Sequence, residues 1–156
     1  MGQKILVAFD DSENAMRAVQ FVAKTFNPQN QVTLFSVLPD TAAICDMHSP
    51  ELTPYFLSER DAFCSLEDKH KDLVSKSIQK AREVLINAGF NEDHVTIKVE
   101  PRKKGVARDI ASEARLGYDI LVLGRRGHSA IKEFFLGSVG HKVLSLVSDV
   151  SVLFVN

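Results

Sequence analysis

A chain of 156 residues, 45% hydrophobic and 25% charged, is long enough to bury a sizeable core and is expected to form a single soluble domain, residues 1–156. Lys and Arg number 19 against 20 Asp and Glu, a formal net charge of −1, so no whole-domain field draws the chain to nucleic acid or to an anionic membrane, and neither is expected as a partner. Two cysteines, Cys45 and Cys64, are too few and too irregularly placed for a disulfide framework or a zinc site, which suits a reducing compartment and makes the cytoplasm the expected location.

KILVAFDDS opens the chain with an apolar run, Lys4 to Phe9, stopped by two acids and a serine. It is too short to span a bilayer and reads as a buried, central strand. In SENAMRAVQFVAKTF, residues Ala15, Ala18, Val19, Val22 and Phe26 recur at helical spacing behind Ser12, an N-cap type. Asn27 and Pro28 end that helix, and QVTLFSVLP is the second strand, closed by Pro39. From Asp40 to about Pro54 no period holds, and the stretch reads as a long loop or lid.

Beyond it, Leu66, Leu73, Val74, Ser77, Ile78, Ala81, Leu85 and Ala88 mark one stripe of a long helix ending at Gly89. VTIKVEP sets Val95, Ile97 and Val99 against Thr96, Lys98 and Glu100, the alternation of an edge strand. VARDIASEARLG is a third helix with Val106, Ile110, Ala111 and Ala114 on one face, and DILVLG a fourth, buried strand. GSVGHKVLSLV predicts a last helix with Val139, Val143, Leu146 and Val147 inward, before SVLFV as strand five. Strict β-α alternation predicts a doubly wound α/β fold, a parallel sheet with helices on both faces. Ligands in such sheets sit outside the carboxyl ends of the strands where strand order reverses, which directs attention to the ends of strands one and four.

Strand four runs into GRRGHSAIKEFFLGS, in which Gly124 and Gly127 bracket a turn and Gly137-Ser138 open a helix. Glycines let backbone N–H groups approach an oxyanion, a helix N-terminus adds unpaired donors and partial positive charge, and Ser138 adds a hydroxyl. Any one of these glycines alone would be an ordinary turn or cap; together they predict a phosphate site.

The spacing of Gly124, Gly127, Gly137 and Ser138, with KILVAFDDSENA before it and VARDIASEARLGYDILVLG leading into it, resembles the universal stress protein family, specifically its ATP-binding branch, over nearly the whole chain. The resemblance implies a five-stranded sheet of order 3-2-1-4-5, a homodimer, and regulation by nucleotide occupancy, with ATP and Mg²⁺ as the bound cofactor. By position it implies that Asp10 meets the ribose or adenine side and that Val37 contacts adenine through its backbone. Gly124, Gly127, Gly137, Ser138 and Val139 would line the phosphates. The chain departs from the family pattern at Ala8, where proline is common, at Asp11, where glycine is common, and at Val150-Ser151, where cysteine-proline is common. Asp11 adds negative charge near a polyanion if its side chain turns inward.

On the residues alone Asp10 reads equally as a solvated or helix-capping carboxylate. Arg125 and Arg126 stand between the glycines without an assigned role, and Arg102, Lys103 and Lys104 read as a solvated turn. None of the five histidines shows metal spacing; His128 and His141 flank the glycine motif. Neither a G-x-S-x-G elbow nor a P-loop is present, so the motif accounts for holding ATP better than for cleaving it, and at most slow hydrolysis is expected. The competing reading is a receiver-like phosphorylatable domain, drawn from Asp10-Asp11; it requires a central strand ending in an acceptor aspartate, whereas strand three ends VEP. A flavin or electron-transfer relative of the same architecture is a third reading. SVLFV, apolar and without charge or proline, would lie at a sheet edge and is the expected dimer interface.

Overall fold

The computed structural model describes residues 2–47, 53–125 and 137–156. Elements follow in the order β1 (Lys4–Ala8), α1 (Glu13–Thr25), β2 (Gln31–Leu38), α2 (Ala42–Cys45), α3 (Pro54–Asn87), β3 (Val95–Pro101), α4 (Val106–Ala114), β4 (Ile120–Gly124), α5 (Ser138–Leu146) and β5 (Ser151–Val155). The strands form one parallel sheet of order β3-β2-β1-β4-β5. The order expected from the family resemblance is the order found. It also removes the receiver-like reading, since that architecture runs 2-1-3-4-5 with the third strand inside the sheet, and here β3 is an edge.

Two cores flank the sheet. On one face Ile5, Val7, Val32 and Leu34 meet Ala18, Val19 and Val22 of α1 and Ile78, Ala81 and Leu85 of α3. On the other, Leu6, Phe35, Leu121 and Leu123 meet Ala107, Ile110 and Ala114 of α4 and Val143 of α5. The period of two along β1 divides its residues between these faces, which is why a strand buried on both sides is apolar throughout. Ser12 caps α1, its hydroxyl accepting from the Ala15 amide at 3.2 Å. Gly89, at φ +106°, follows α3 in a conformation that disfavours any side chain.

The stretch read as a loop is partly helical. α2 is a single turn, and α3 starts at Pro54 behind Thr53, whose hydroxyl accepts from the Phe56 amide. At 34 residues, α3 is about 51 Å long, far longer than the strands it covers. Only its second half packs, through Val74, Ile78, Ala81 and Leu85. Because α3 runs back against the strands, its first half projects past their carboxyl ends. There Leu66 is 65% and Leu73 56% exposed, so these two leave the predicted buried stripe.

Two further expectations change. Val99 is exposed while Lys98 and Glu100 are half-buried, because Lys98 turns to Glu113 of α4, a carboxylate at 6% exposure. Lys98 Nζ donates to Glu113 Oε2 at 2.8 Å and the Tyr118 hydroxyl to Oε1 at 3.1 Å, as a buried charge requires. That hydrogen bond holds the Lys98 pKa above its ordinary 10.5, and burial pushes the Tyr118 phenol above 10.0. Cys45 and Cys64, expected to belong to no disulfide framework and to suit a reducing compartment, form a disulfide between α2 and α3. Their separation of 19 residues carries no local signal; the antiparallel return of α3 past the end of β2 brings them together. No helix among the described residues is long and apolar enough to cross a membrane.

Candidate functional site

β1 and β4 are neighbours in the sheet, but α1 leaves β1 on one face and α4 enters β4 from the other. The connections therefore diverge above these two strand ends, and a cavity of about 310 Å³ opens between them, within the size range of small-molecule sites. Six of the seven residues predicted for the site, Asp10, Val37, Gly124, Gly137, Ser138 and Val139, line this one cavity. Gly127 lies outside the described residues, as do Arg126 and His128.

One end of the cavity is built by α5. Gly137 is its N-cap, with φ −59° and ψ 161°, and among the described residues no side chain caps the helix. The Gly137 amide itself donates to the Arg125 carbonyl at 3.0 Å, which fastens the start of α5 to the end of β4. The donors left facing the cavity are therefore the first-turn amides of Ser138, Val139 and Gly140, all lining it, where the positive end of the helix dipole adds to them. Val139, predicted inward, is 36% exposed because the helix turns this first residue pair toward the mouth.

Gly124 has a packing role in addition to its place on the cavity wall. A Cβ there would lie 2.8 Å from the carbonyl carbon and oxygen of Asn14, so glycine is needed for α1 to sit against the end of β4. Asp10 is likewise double-purposed. Its Oδ1 accepts the Ser12 amide at 3.0 Å and a short hydrogen bond from the Ser12 hydroxyl, so one oxygen holds the cap of α1 while the half-buried side chain lines the cavity. Asp11 faces His70 of α3 at 3.9 Å.

The opposite end is apolar. Val37, Val106, Ile110 and Leu123 line it. Backbone groups alternate sides along a strand: the Phe35 carbonyl accepts from Phe9 on the β1 side at 2.7 Å, and the Leu38 carbonyl accepts from Arg102 on the β3 side at 2.6 Å. Val37 therefore directs its N–H and C=O toward β1. The β1–β2 ladder stops at Ala8–Phe35, so these two groups lie past the end of β1, beside the cavity. Sequence reading did not find Val106 and Ile110; in VARDI they look like any core stripe, and only the crossover places them on the cavity wall. Gly140 was missed for the same reason.

A sequence profile of the universal stress protein family matches residues 1–156. The chain belongs to the universal stress protein family. Stress response protein NhaX of Bacillus subtilis is 28% identical over 168 aligned positions, covering 97% of this chain and 96% of that protein. The solved structure of the hypothetical protein MJ0577 is similar with a TM-score of 0.73 and 25% identity, over 99% of this chain and 96% of that one. A universal stress protein solved in complex with cAMP gives a TM-score of 0.60 at 20% identity, over 99% and 97% of the two chains, a likeness of fold. Family membership agrees with the sheet order and with the position of the cavity at the switch point.

Proposed function

We propose that this universal stress protein binds ATP with Mg²⁺ at the ends of β1 and β4 and acts as a nucleotide-dependent regulatory module, turning ATP over slowly if at all. The observation that carries the reading is the first turn of α5, without a side-chain cap among the described residues and with its amides on the wall of a cavity whose other end is apolar. Phosphates fit the Ser138–Gly140 amides and the Ser138 hydroxyl; a purine fits between Val37, Val106 and Ile110, its polar edge meeting the peptide groups of Val37. Asp10, on the wall of the same cavity, would meet the ribose. That one family relative holds cAMP supports an adenine nucleotide as the ligand class.

Among the described residues no group of three metal-ligating side chains is present, and Asp10 is the one carboxylate lining the cavity. Mg²⁺ would be held mainly by phosphate oxygens and water, as is usual for this ion, with Asp10 within the same cavity. The one carboxylate beside a hydroxyl in the described part of the site is Asp10 on Ser12, and both are engaged in the cap of α1, which favours binding over turnover.

The same reading includes a homodimer through β5. Ser151 donates to Asp119 and Val155 accepts from Arg125 on the β4 side, so Val152 and Phe154 direct their peptide groups to the free edge. Calorimetry tests the nucleotide site. ATP·Mg²⁺ should bind one to one, and Gly137→Val should weaken it at least about tenfold, a lost charge-assisted hydrogen bond being worth roughly 1.5–3 kcal/mol. The backbone angles of Gly137 are ones valine adopts, so the substitution adds no backbone strain, and a thermal melt of the variant checks that it is folded. Equal affinity in both proteins would overturn the assignment.

A further inference from the structure

A second cavity, of about 500 Å³, opens under α2, and both Cys45 and Cys64 line it. The disulfide therefore lies on the wall of an open cavity and not in the packed core. Its other polar walls are Asp40, Asp46, Asp68 and Glu100 against Lys71; Glu100 is offset by Lys98 at 3.5 Å and Lys103 at 3.8 Å, which leaves three aspartates and one lysine around the sulfurs. Carboxylates thus outnumber ammonium groups in the wall around the sulfurs, an excess that would repel an anionic nucleophile.

We propose that Cys45–Cys64 is a thiol–disulfide exchange site, opened by small neutral or cationic thiols and closed by the corresponding disulfides. An attacking thiolate bonds to one cysteine sulfur as the Cys45–Cys64 bond breaks, and the electron pair leaves on the other sulfur, which takes a proton. A second thiol then displaces the first from the mixed disulfide. The chain gains two electrons and two protons, and the two thiols leave joined as their disulfide.

The bond controls a segment that little else holds. α2 buries no residue, Thr41 before it being the one buried position of 39–47, and α3 buries none as far as Leu73. Apart from the disulfide, the described ties between residues 39–47 and α3 are a hydrogen bond from Lys71 Nζ to Thr41 Oγ1 at 3.5 Å and one from Arg60 Nη1 to the Met47 carbonyl. Few buried contacts mean a low local opening free energy once the staple is cut. The second half of α3 is anchored in the core and is indifferent to it.

Intact mass after native iodoacetamide treatment reads the site directly, since the chain has two cysteines. Protein prepared without reductant should take no adduct, and after cysteamine should take two without prior unfolding. At low salt, cysteamine should open the bond faster than glutathione, and the ratio of the two rates should fall about fivefold or more between 10 mM and 1 M salt, because screening removes the charge term while leaving intrinsic thiol reactivity in place. Hydrogen exchange should rise at least about tenfold at 39–47 and 54–66 on reduction, with 74–87 unchanged, and the Cys45→Ser/Cys64→Ser protein should match the reduced chain. Two adducts without reductant, reduction only after unfolding, a salt-independent rate ratio, or unchanged exchange at 39–47 would each overturn the proposal.

Discussion

Gly124→Ala separates packing from ligand contact at the glycine that opens the motif. The added methyl carbon would stand 2.8 Å from two backbone atoms of Asn14 and 3.0 Å from its Cβ. Normal carbon contacts are about 3.5–4.0 Å, so α1 or the end of β4 has to retreat by roughly 0.7 Å or more. Asn14 sits in the first turn of α1, which buries Ala15, Ala18, Val19 and Val22, and backbone cannot rotate aside as a side-chain tip can. Overpacking of this kind costs about 1–3 kcal/mol, which for a chain of this size lowers the melting temperature by about 2–4 °C per kcal/mol. Urea unfolding should show a lower midpoint at unchanged slope. Stability within about 0.5 kcal/mol of wild type, combined with weakened ATP binding, would show that Gly124 serves only the ligand and would refute the packing argument.

Asp10→Ala should weaken AMP or adenosine binding more, in relative terms, than tripolyphosphate binding, and should also cost about 1 kcal/mol through the cap of α1; equal losses for both ligands in calorimetry would move Asp10 to the phosphate or metal side. Val152→Pro removes a free-edge N–H without touching the β4 ladder, so sedimentation should give a folded monomer in place of a dimer; a dimeric variant, or a monomeric wild type at micromolar concentration, would refute the β5 interface. Lys98→Met leaves the Glu113 carboxylate short of its main partner and should destabilise by about 1–3 kcal/mol; an unchanged denaturation midpoint would count against that pairing. Lys98 and Tyr118 both have folded-state pKa values raised above 10.5 and 10.0, so the stability they confer is complete below those values and is lost as pH rises through the raised ones. Unfolding followed above pH 10 should show that fall, reduced in Tyr118→Phe.

The α/β alternation was legible because each strand is a short run too apolar for a surface helix and each packed helix carries a stripe of period 3.6. The stripe failed where α3 leaves the sheet. Leu66 and Leu73 sit at helical spacing with Val74, but spacing does not say where the supporting sheet ends. The site was legible at Gly137-Ser138, where a glycine before a helix has a local chemical meaning. It was less so at Gly124, whose neighbour Asn14 is far away in sequence, and at Val106 and Ile110, which become cavity-facing only through the crossover. The disulfide had no local signature at all, since it depends on how far α3 extends past β2.

In the proposed complex the triphosphate lies on the first turn of α5 and the purine beside the peptide of Val37. Titration of ¹⁵N-labelled protein with ATP·Mg²⁺ reads both positions at once. The amides of Val37, Ser138, Val139 and Gly140 should shift together along one saturating binding curve, while those at 74–87 of α3 stay in place. Saturating shifts confined to other amides, or no shift at these four in millimolar ATP, would contradict the central claim.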